Sequence, residues 1–362
     1  MSTPHGRHPA QHAWEDTYGT DEIGRPVPPR RHRLLMLEVL GRPTAADAEA
    51  LEAALTAAEE AHGRGPDGLL LCLGWGPGWY ERHLGARSPV GRPVPMARWE
   101  NPVLEDHDAC LHLASDHEEV LDAVTAALFG PGPWDRRGRL RVVETREGFV
   151  GAGLPAAHRP GDGFPGKAPL MLGFHSGLRR NQATEEEVTV RSGPLAGGTT
   201  MHVSRIVLDT DGWYEQDEDT RAALMYSPRA TAKEADTLVE DAESDRTELP
   251  ALAAAHGRVG HAQATGRARL NGRPRINRRD FATLDGGVPG THFVSLQRTM
   301  EDFQATRAVM NAADAPAHHR GIGIRRENGI NAFMDVRARA TFAVPPRAER
   351  AYPGLRDRPA AG

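Results

Sequence analysis

Three features of the sequence could do chemistry together: one histidine, one arginine and one polar turn. The turn Gly173–Gly177 comes first, His261 follows it, and Arg278 lies a short distance further along the chain. An imidazole can bind haem iron, and a guanidinium is always charged and can stabilise negative charge on an oxygen-containing ligand. These are the parts of a haem pocket. None of the three is specific by itself, so the order of the segments around them must show whether they form such a pocket.

The composition sets limits on the class of protein. The chain has 362 residues, a net charge of −5 and a mean hydropathy of −0.52, which gives no reason to expect nucleic acid as a partner. It contains no apolar run that could span a membrane and no apolar signal segment at its start, so we expect a cytoplasmic protein without membrane contact. Cys72 and Cys110 lie in apolar stretches without the CxxC spacing of a metal site, which predicts buried free thiols.

Hydrophobic periodicity predicts two similar runs of elements. In the first run, Thr44 is a suitable N-cap for a helix. Its elements are a strand at 34–40, this helix, strands at 68–74 and 109–114, a helix at 116–129 and a strand at 140–144. In the second run, Thr299 caps a helix, and strands are predicted at 201–208, 293–297 and 333–344. We expect a helix at 216–226 and otherwise charged helix and loop over 215–290, the long insertion that contains His261 and Arg278.

The order strand, helix, strand, strand, helix, strand is that of a ferredoxin-like unit. The predicted fold class is therefore α+β, with two ferredoxin-like halves that form a pseudo-symmetric dimeric α+β barrel. We divide the chain into a disordered or loosely packed N-terminal arm, a first half, a connecting segment with the Gly173–Gly177 turn, a second half with a haem-binding insertion, and a C-terminal tail. Their bounds are 1–31, 32–150, 151–198, 199–345 and 346–362.

On these segments the chain resembles the dye-decolorising peroxidase family of haem proteins. Gly173–Gly177 stands at the family's G-F-x-D-G motif, and Gly197–Ile206 resembles its glycine-led strand. His261 falls where the proximal haem ligand is expected, and Arg278 where the distal arginine is expected. The resemblance covers about residues 32–345. It implies haem b as the cofactor, iron held by His261, and peroxidase-like oxidoreductase chemistry on a small-molecule substrate. Whether hydrogen peroxide is the co-substrate stays open.

One departure from the family pattern matters most: Ser176 stands at the position of the catalytic aspartate. A serine hydroxyl is not a base near neutral pH, although it can hold a water that relays a proton. The adjacent His175 has a suitable ordinary pKa but, on an extended segment, points to the other side. We therefore expect Arg278, Ser176 and His175 as the catalytic group, with weak classical peroxidase turnover.

Three further arginines are candidates for the haem propionates, because guanidinium pairs well with carboxylate: Arg179, Arg180 and Arg205. The imidazole of a proximal histidine also needs an acceptor for its second ring nitrogen, and Glu301 and Asp302 are the candidates.

The alternatives are a haem enzyme of a biosynthetic pathway with a non-peroxidase reaction, or a non-catalytic haem carrier or sensor. A relative without haem that keeps only the fold is a third. The sequence leaves the substrate open, and also whether the chain forms homo-oligomers.

Overall fold

Most strands of the described residues form one hydrogen-bonded sheet built from two similar halves, and four short strands form two separate two-stranded sheets. The computed structural model describes residues 8–22, 24–174, 182–235 and 244–355. The first half comprises β1 (Arg31–Val39), α1 (Ala45–His62), β2 (Leu70–Trp75), β3 (Ala109–Ser115), α2 (Glu118–Phe129) and β4 (Leu140–Phe149). The second half comprises β5 (Thr199–Leu208), α3 (His261–Thr265), β6 (Ile276–Arg278), β7 (Phe281–Thr283), β8 (Gly290–Gln297), α4 (Met300–Met310) and β9 (Met334–Val344).

Shorter elements connect the two halves and flank them. The helices among them are Leu154–His158, Glu185–Val188, Thr210–Tyr214, Glu218–Met225 and Leu249–His256. The short strands are Gly19–Thr20, Pro26–Val27, Val103–Leu104, Arg269–Leu270 and Arg273–Pro274. Within the described ranges, no helix combines the length and the apolar character needed to cross a bilayer.

The strand order confirms the predicted α+β class. The first half pairs in the order β4-β1-β3-β2, and the second in the equivalent order β7-β8-β5-β9, with β6 extending β7 along β8. One residue pair joins the halves at each seam: Ala282 with Phe149, and Ala343 with Trp75. The pairing therefore runs round a closed ring, as a barrel requires.

Alternating side chains divide the molecule into an interior and two outer faces. Inside the ring, apolar side chains of all the long strands except β4 pack together, among them Met36, Cys72, Met201 and Phe342. Both cysteines are buried free thiols, as predicted. Outside, α1 and α2 cover the first half, and α4 covers part of the second. Thr44 and Thr299 cap their helices as the sequence indicates.

The predicted insertion at 215–290 is shorter than expected, because its last part is a strand. Residues 276–283 keep one antiparallel register against β8, from Ile276 opposite Gln297 to Thr283 opposite Gly290. Between β6 and β7, the Arg279 amide donates to the Val294 carbonyl at 2.7 Å. The candidate Arg278 therefore lies on a rigid strand and not on a loop.

The expectation of a loosely packed N-terminal arm is wrong for residues 10–14. Trp14 is 1% exposed and packs inside the closed ring of strands, where its indole N–H donates to the Gln11 carbonyl at 2.9 Å. The Arg279 guanidinium lies 4.0 Å from the centre of the Trp14 ring. Beyond the second half, Tyr352 of the predicted tail is also buried. Residues 10–14 of the arm are thus part of the core.

Trp14→Ala is expected to destabilise the protein by about 3–5 kcal/mol, the usual cost of removing a large buried aromatic side chain. The free energy of unfolding, measured by denaturant titration, checks this. Trp134, which is 37% exposed, provides the matched control: Trp134→Ala should change stability by about 0.5 kcal/mol or less. Equal effects of the two substitutions would contradict the packed arm.

Candidate functional site

A cavity of about 220 Å³ lies between the outer sheet face of the second half and the helices α3 and α4. Its walls are largely apolar, and they include Ile206 of β5, Phe293 of β8 and Phe303 of α4. Residues alternate along each strand, so every second residue reaches the cavity. His261 and Arg278, which the sequence predicted to act together, both line it.

His261 is the first residue of α3, and close backbone packing fixes its position. A side chain at Gly260 would meet the Tyr226 carbonyl oxygen at 2.1 Å, so the chain can approach only because this residue is glycine. On the other side Gly329, with φ +56°, lies so near that an added Cβ would be 3.1 Å from the His261 Cα. The amide of Gly329 donates to the Val259 carbonyl at 2.8 Å, which ties these two segments together.

The imidazole of His261 is neutral in the folded protein. Burial, and then the positive charges of Arg278 and Arg307, lower its pKa to about 3. Neither ring nitrogen has a hydrogen-bond partner among the described residues, and the side chain is half-buried at the cavity wall. A neutral imidazole with an open ring nitrogen is the form that binds a metal.

The predicted acceptors for the second ring nitrogen of His261 are wrong. Asp302 receives a hydrogen bond from Arg275 Nη1 at 3.1 Å and binds the N-cap Thr299, while Glu301 is exposed at the helix surface. The charged group that lies near His261 on α4 is instead the cation Arg307. The sequence could not show which of these charged residues lies near His261, because Glu301, Asp302 and Arg307 all belong to the same short helix.

Arg278 presents its guanidinium to the cavity from β6. Its side chain forms no ion pair with a described residue, and its Nε is buried without a hydrogen-bond partner in the described part of the chain. Its backbone amide donates to Gln182 Oε1 at 3.0 Å, which anchors the strand to the connecting segment. Arg278 therefore keeps donors available for a ligand.

Four of the other predicted residues, namely His175, Ser176, Arg179 and Arg180, lie outside the described residues. Arg205 is described, and it does not line the cavity. Ser204, Ile206 and Leu208 of β5 face the cavity, so Arg205 lies on the opposite face, with its Nη1 3.9 Å from Glu144 Oε1. The prediction of Arg205 as a propionate partner is therefore corrected by strand alternation.

The structure instead brings other arginines to the cavity, and Arg307 and Arg339 are the most buried of them. Arg339 Nη2 donates to both oxygens of Glu100, at 2.9 and 2.8 Å, and Nη1 donates to Ser204 at 2.9 Å. Arg307 lies 3.7 Å from the same carboxylate. Burial lowers the pKa of Arg307 to about 10, against the attraction of Glu100.

Two buried cations thus share one buried carboxylate, and the Nε and Nη2 atoms of Arg307 have no hydrogen-bond partner in the described ranges. Such unpaired donors suit an anionic group such as a haem propionate. The sequence offers a pattern that could have identified Arg307: it follows Phe303 at helical spacing, on the face that the prediction already placed inward.

A second cluster that could hold a metal by distance is Glu105, His107 and Glu144. The buried guanidinium of Arg146 binds both carboxylates, reaching Glu144 Oε2 at 2.7 Å. A buried cation therefore already pairs with both carboxylates, and we assign the cluster a structural role.

The comparisons with known proteins agree with this architecture. A dye-decolorizing protein from V. cholerae superposes with a TM-score of 0.61 at 17% identity, covering 90% of this chain and 97% of that one. An encapsulated DyP-type peroxidase from Mycobacterium smegmatis gives 0.64 at 15%, covering 94% and 99%. A DypB variant from Rhodococcus jostii RHA1 in complex with heme gives 0.63 at 15%, covering 96% and 99%. At these identities the likeness establishes the fold.

No curated protein matches the sequence. A family model described as a family of unknown function (DUF7405) matches residues 29–346, which is most of the chain. The chain therefore belongs to the DUF7405 family, with the fold of the DyP-type peroxidases.

Proposed function

We propose that the chain is a haem b-dependent oxidoreductase with peroxidase-like chemistry, weakened or altered on the distal side. The observation that carries this proposal is that a neutral His261 and Arg278 line the same largely apolar cavity, and that neither side chain has a hydrogen-bond or ion-pair partner among the described residues. The residues fit haem: an open imidazole for iron, apolar walls for the porphyrin, and buried arginine donors for the propionates.

Each residue has a definite task in this proposal. Haem, when bound, supplies the redox chemistry that cleaves the O–O bond of a peroxide. His261 holds the iron from α3, and Arg278 donates hydrogen bonds to the oxygen ligand and stabilises the negative charge that develops there. The apolar side chains exclude water, which strengthens the field of Arg278. A haem carrier is the weaker alternative, because carriage requires no charge over the ligand.

The distal side departs from the family at Ser176, which cannot act as a base. We therefore propose that peroxide turnover is slower than in a protein with a carboxylate at this position, and that a different haem reaction can be the physiological one. The substrate is a small molecule that enters the cavity.

Peroxide-dependent dye oxidation by the haem-loaded protein tests this function. We expect measurable oxidation by the wild type and turnover about 100-fold higher in Ser176→Asp, because a positioned acid–base group contributes that order of acceleration. Wild-type turnover equal to or above that of the variant would reject the weakened distal side. Spectra that do not respond to peroxide in either protein would favour the carrier.

A further inference from the structure

Asp280 lines the cavity from the two-residue segment between β6 and β7, two residues after Arg278. Because residues 276–283 keep one register against β8, side chains alternate without a break, and Ile276, Arg278, Asp280 and Ala282 all line the cavity. The cavity-facing residues of a strand are separated by about 6.6 Å per two residues. A ligand of two heavy atoms therefore fits between a guanidinium donor on one side and a carboxylate acceptor on the other.

The charge around Asp280 is unusual. Among the described residues, it is the one acidic side chain that lines the cavity, and the arginines there are Arg269, Arg275, Arg278, Arg307 and Arg339. Asp302 and Glu100 already pair with three of them from behind the cavity wall. Asp280 is half-buried and makes no hydrogen bond or ion pair with any residue of the described ranges. A carboxylate that faces a cavity and is not engaged in a hydrogen bond or ion pair with the described residues is available to a ligand.

We propose that Asp280 is a proton acceptor in this cavity and provides the turnover that the chain retains without an acid at position 176. The proposal rests on the proposed haem function. A protonated ligand loses its proton to Asp280 as it binds, and the anion that remains is stabilised by Arg278. With hydrogen peroxide, one O–H bond breaks and its proton goes to the Asp280 carboxylate. The same proton then passes to the other oxygen, which leaves as water when the O–O bond breaks, with electrons supplied by the haem group.

Cyanide binding to the haem-loaded protein tests this role without turnover. Hydrogen cyanide must lose its proton to bind as the anion, so a nearby base accelerates binding. We expect Asp280→Asn to retain the Soret absorption of bound haem and to bind cyanide about 100-fold more slowly, since general-base catalysis has this order of magnitude. Asp280→Glu should recover part of the rate.

Asp335→Asn is the matched control. Asp335 lies on β9 between two cavity-lining residues, points to the other face, and pairs with Arg337 at 2.9 Å. It should bind cyanide at the wild-type rate.

The outcomes separate the two claims. If Asp280→Asn binds haem and then binds cyanide at the wild-type rate, the proton-acceptor role is overturned and the haem function is left intact. Loss of haem by Asp280→Asn alone would overturn it too, because the carboxylate would then serve cofactor attachment. A wild-type protein that binds no haem would overturn both proposals.

Discussion

Replacing His261 by alanine is expected to abolish specific haem binding. His261 is the one histidine among the described residues that line the cavity, and its neutral imidazole has no protein partner there. Loss of a group that only hydrogen-bonds to a metal ligand weakens metal affinity by about 10–100-fold. Loss of the ligand itself should therefore weaken haem affinity by more than this. Titration of the purified protein with haem, followed by the Soret absorption, measures the affinity.

The matched control is His256→Ala. His256 is exposed at the end of the helix that precedes α3, and this substitution should leave haem affinity unchanged. Added imidazole should restore part of the Soret absorption to His261→Ala, since the small molecule can occupy the space of the lost ring. A His261→Ala variant that binds haem as tightly as the wild type would contradict the assignment of this ligand.

Acidification is expected to destabilise the folded protein by several kcal/mol well before its carboxylates titrate. His12, His32, His112 and His202 are at most 3% exposed. Burial lowers the pKa of His12 and of His32 to about 3, and holds the pKa values of His112 and His202 well below their ordinary value. In the unfolded chain, histidines take up protons near pH 6.5.

The sign follows from proton uptake. Between about pH 6.5 and pH 3 the unfolded chain binds more protons than the folded one, so stability falls as pH falls. Each such histidine contributes about 1.4 kcal/mol for every pH unit below 6.5. Glu185 acts in the opposite direction, because burial raises the pKa of its carboxyl, but it is one group against four.

Denaturant titrations at about pH 7.5 and about pH 5.5 measure the difference, in a range above the ordinary pKa of carboxylates. We expect a lower free energy of unfolding at the lower pH. Replacement of the exposed His256 by glutamine should leave this difference unchanged. A free energy of unfolding that is equal at the two pH values would contradict the buried neutral histidines.

Regular hydrophobic patterns account for the part of the fold that the sequence predicted. The long strands of the first half and the helices capped by Thr44 and Thr299 have apolar faces with the correct period. The strands at 276–278 and 281–283 were not predicted from the sequence, because the four residues from Asn277 to Asp280 are all polar and show no alternation with apolar residues. Asn277 faces inward and donates to Glu15 Oε1 at 2.6 Å, and buried Arg279 binds Glu185 and stacks on Trp14.

Partners far away in the sequence therefore satisfy the polar residues of that strand. The role of Asp280 could not be predicted for the same reason, because the run Asn-Arg-Arg-Asp at 277–280 resembles a solvated loop when its register is unknown. Once β6 and β7 are seen to pair with β8, the period of two places Arg278 and Asp280 side by side on the cavity face. The prediction for Arg205 failed for a different reason. Its strand, β5, was predicted, but the sequence did not show which face of that strand lines the cavity.

The most direct test of the account is a crystal structure of the protein loaded with haem. We predict a porphyrin in the cavity between the second-half sheet and α3, with its iron bonded to a ring nitrogen of His261 and with Arg278 over the opposite face. Iron bonded to a different residue, or haem bound outside this cavity with the His261 ring uncoordinated, would contradict the account.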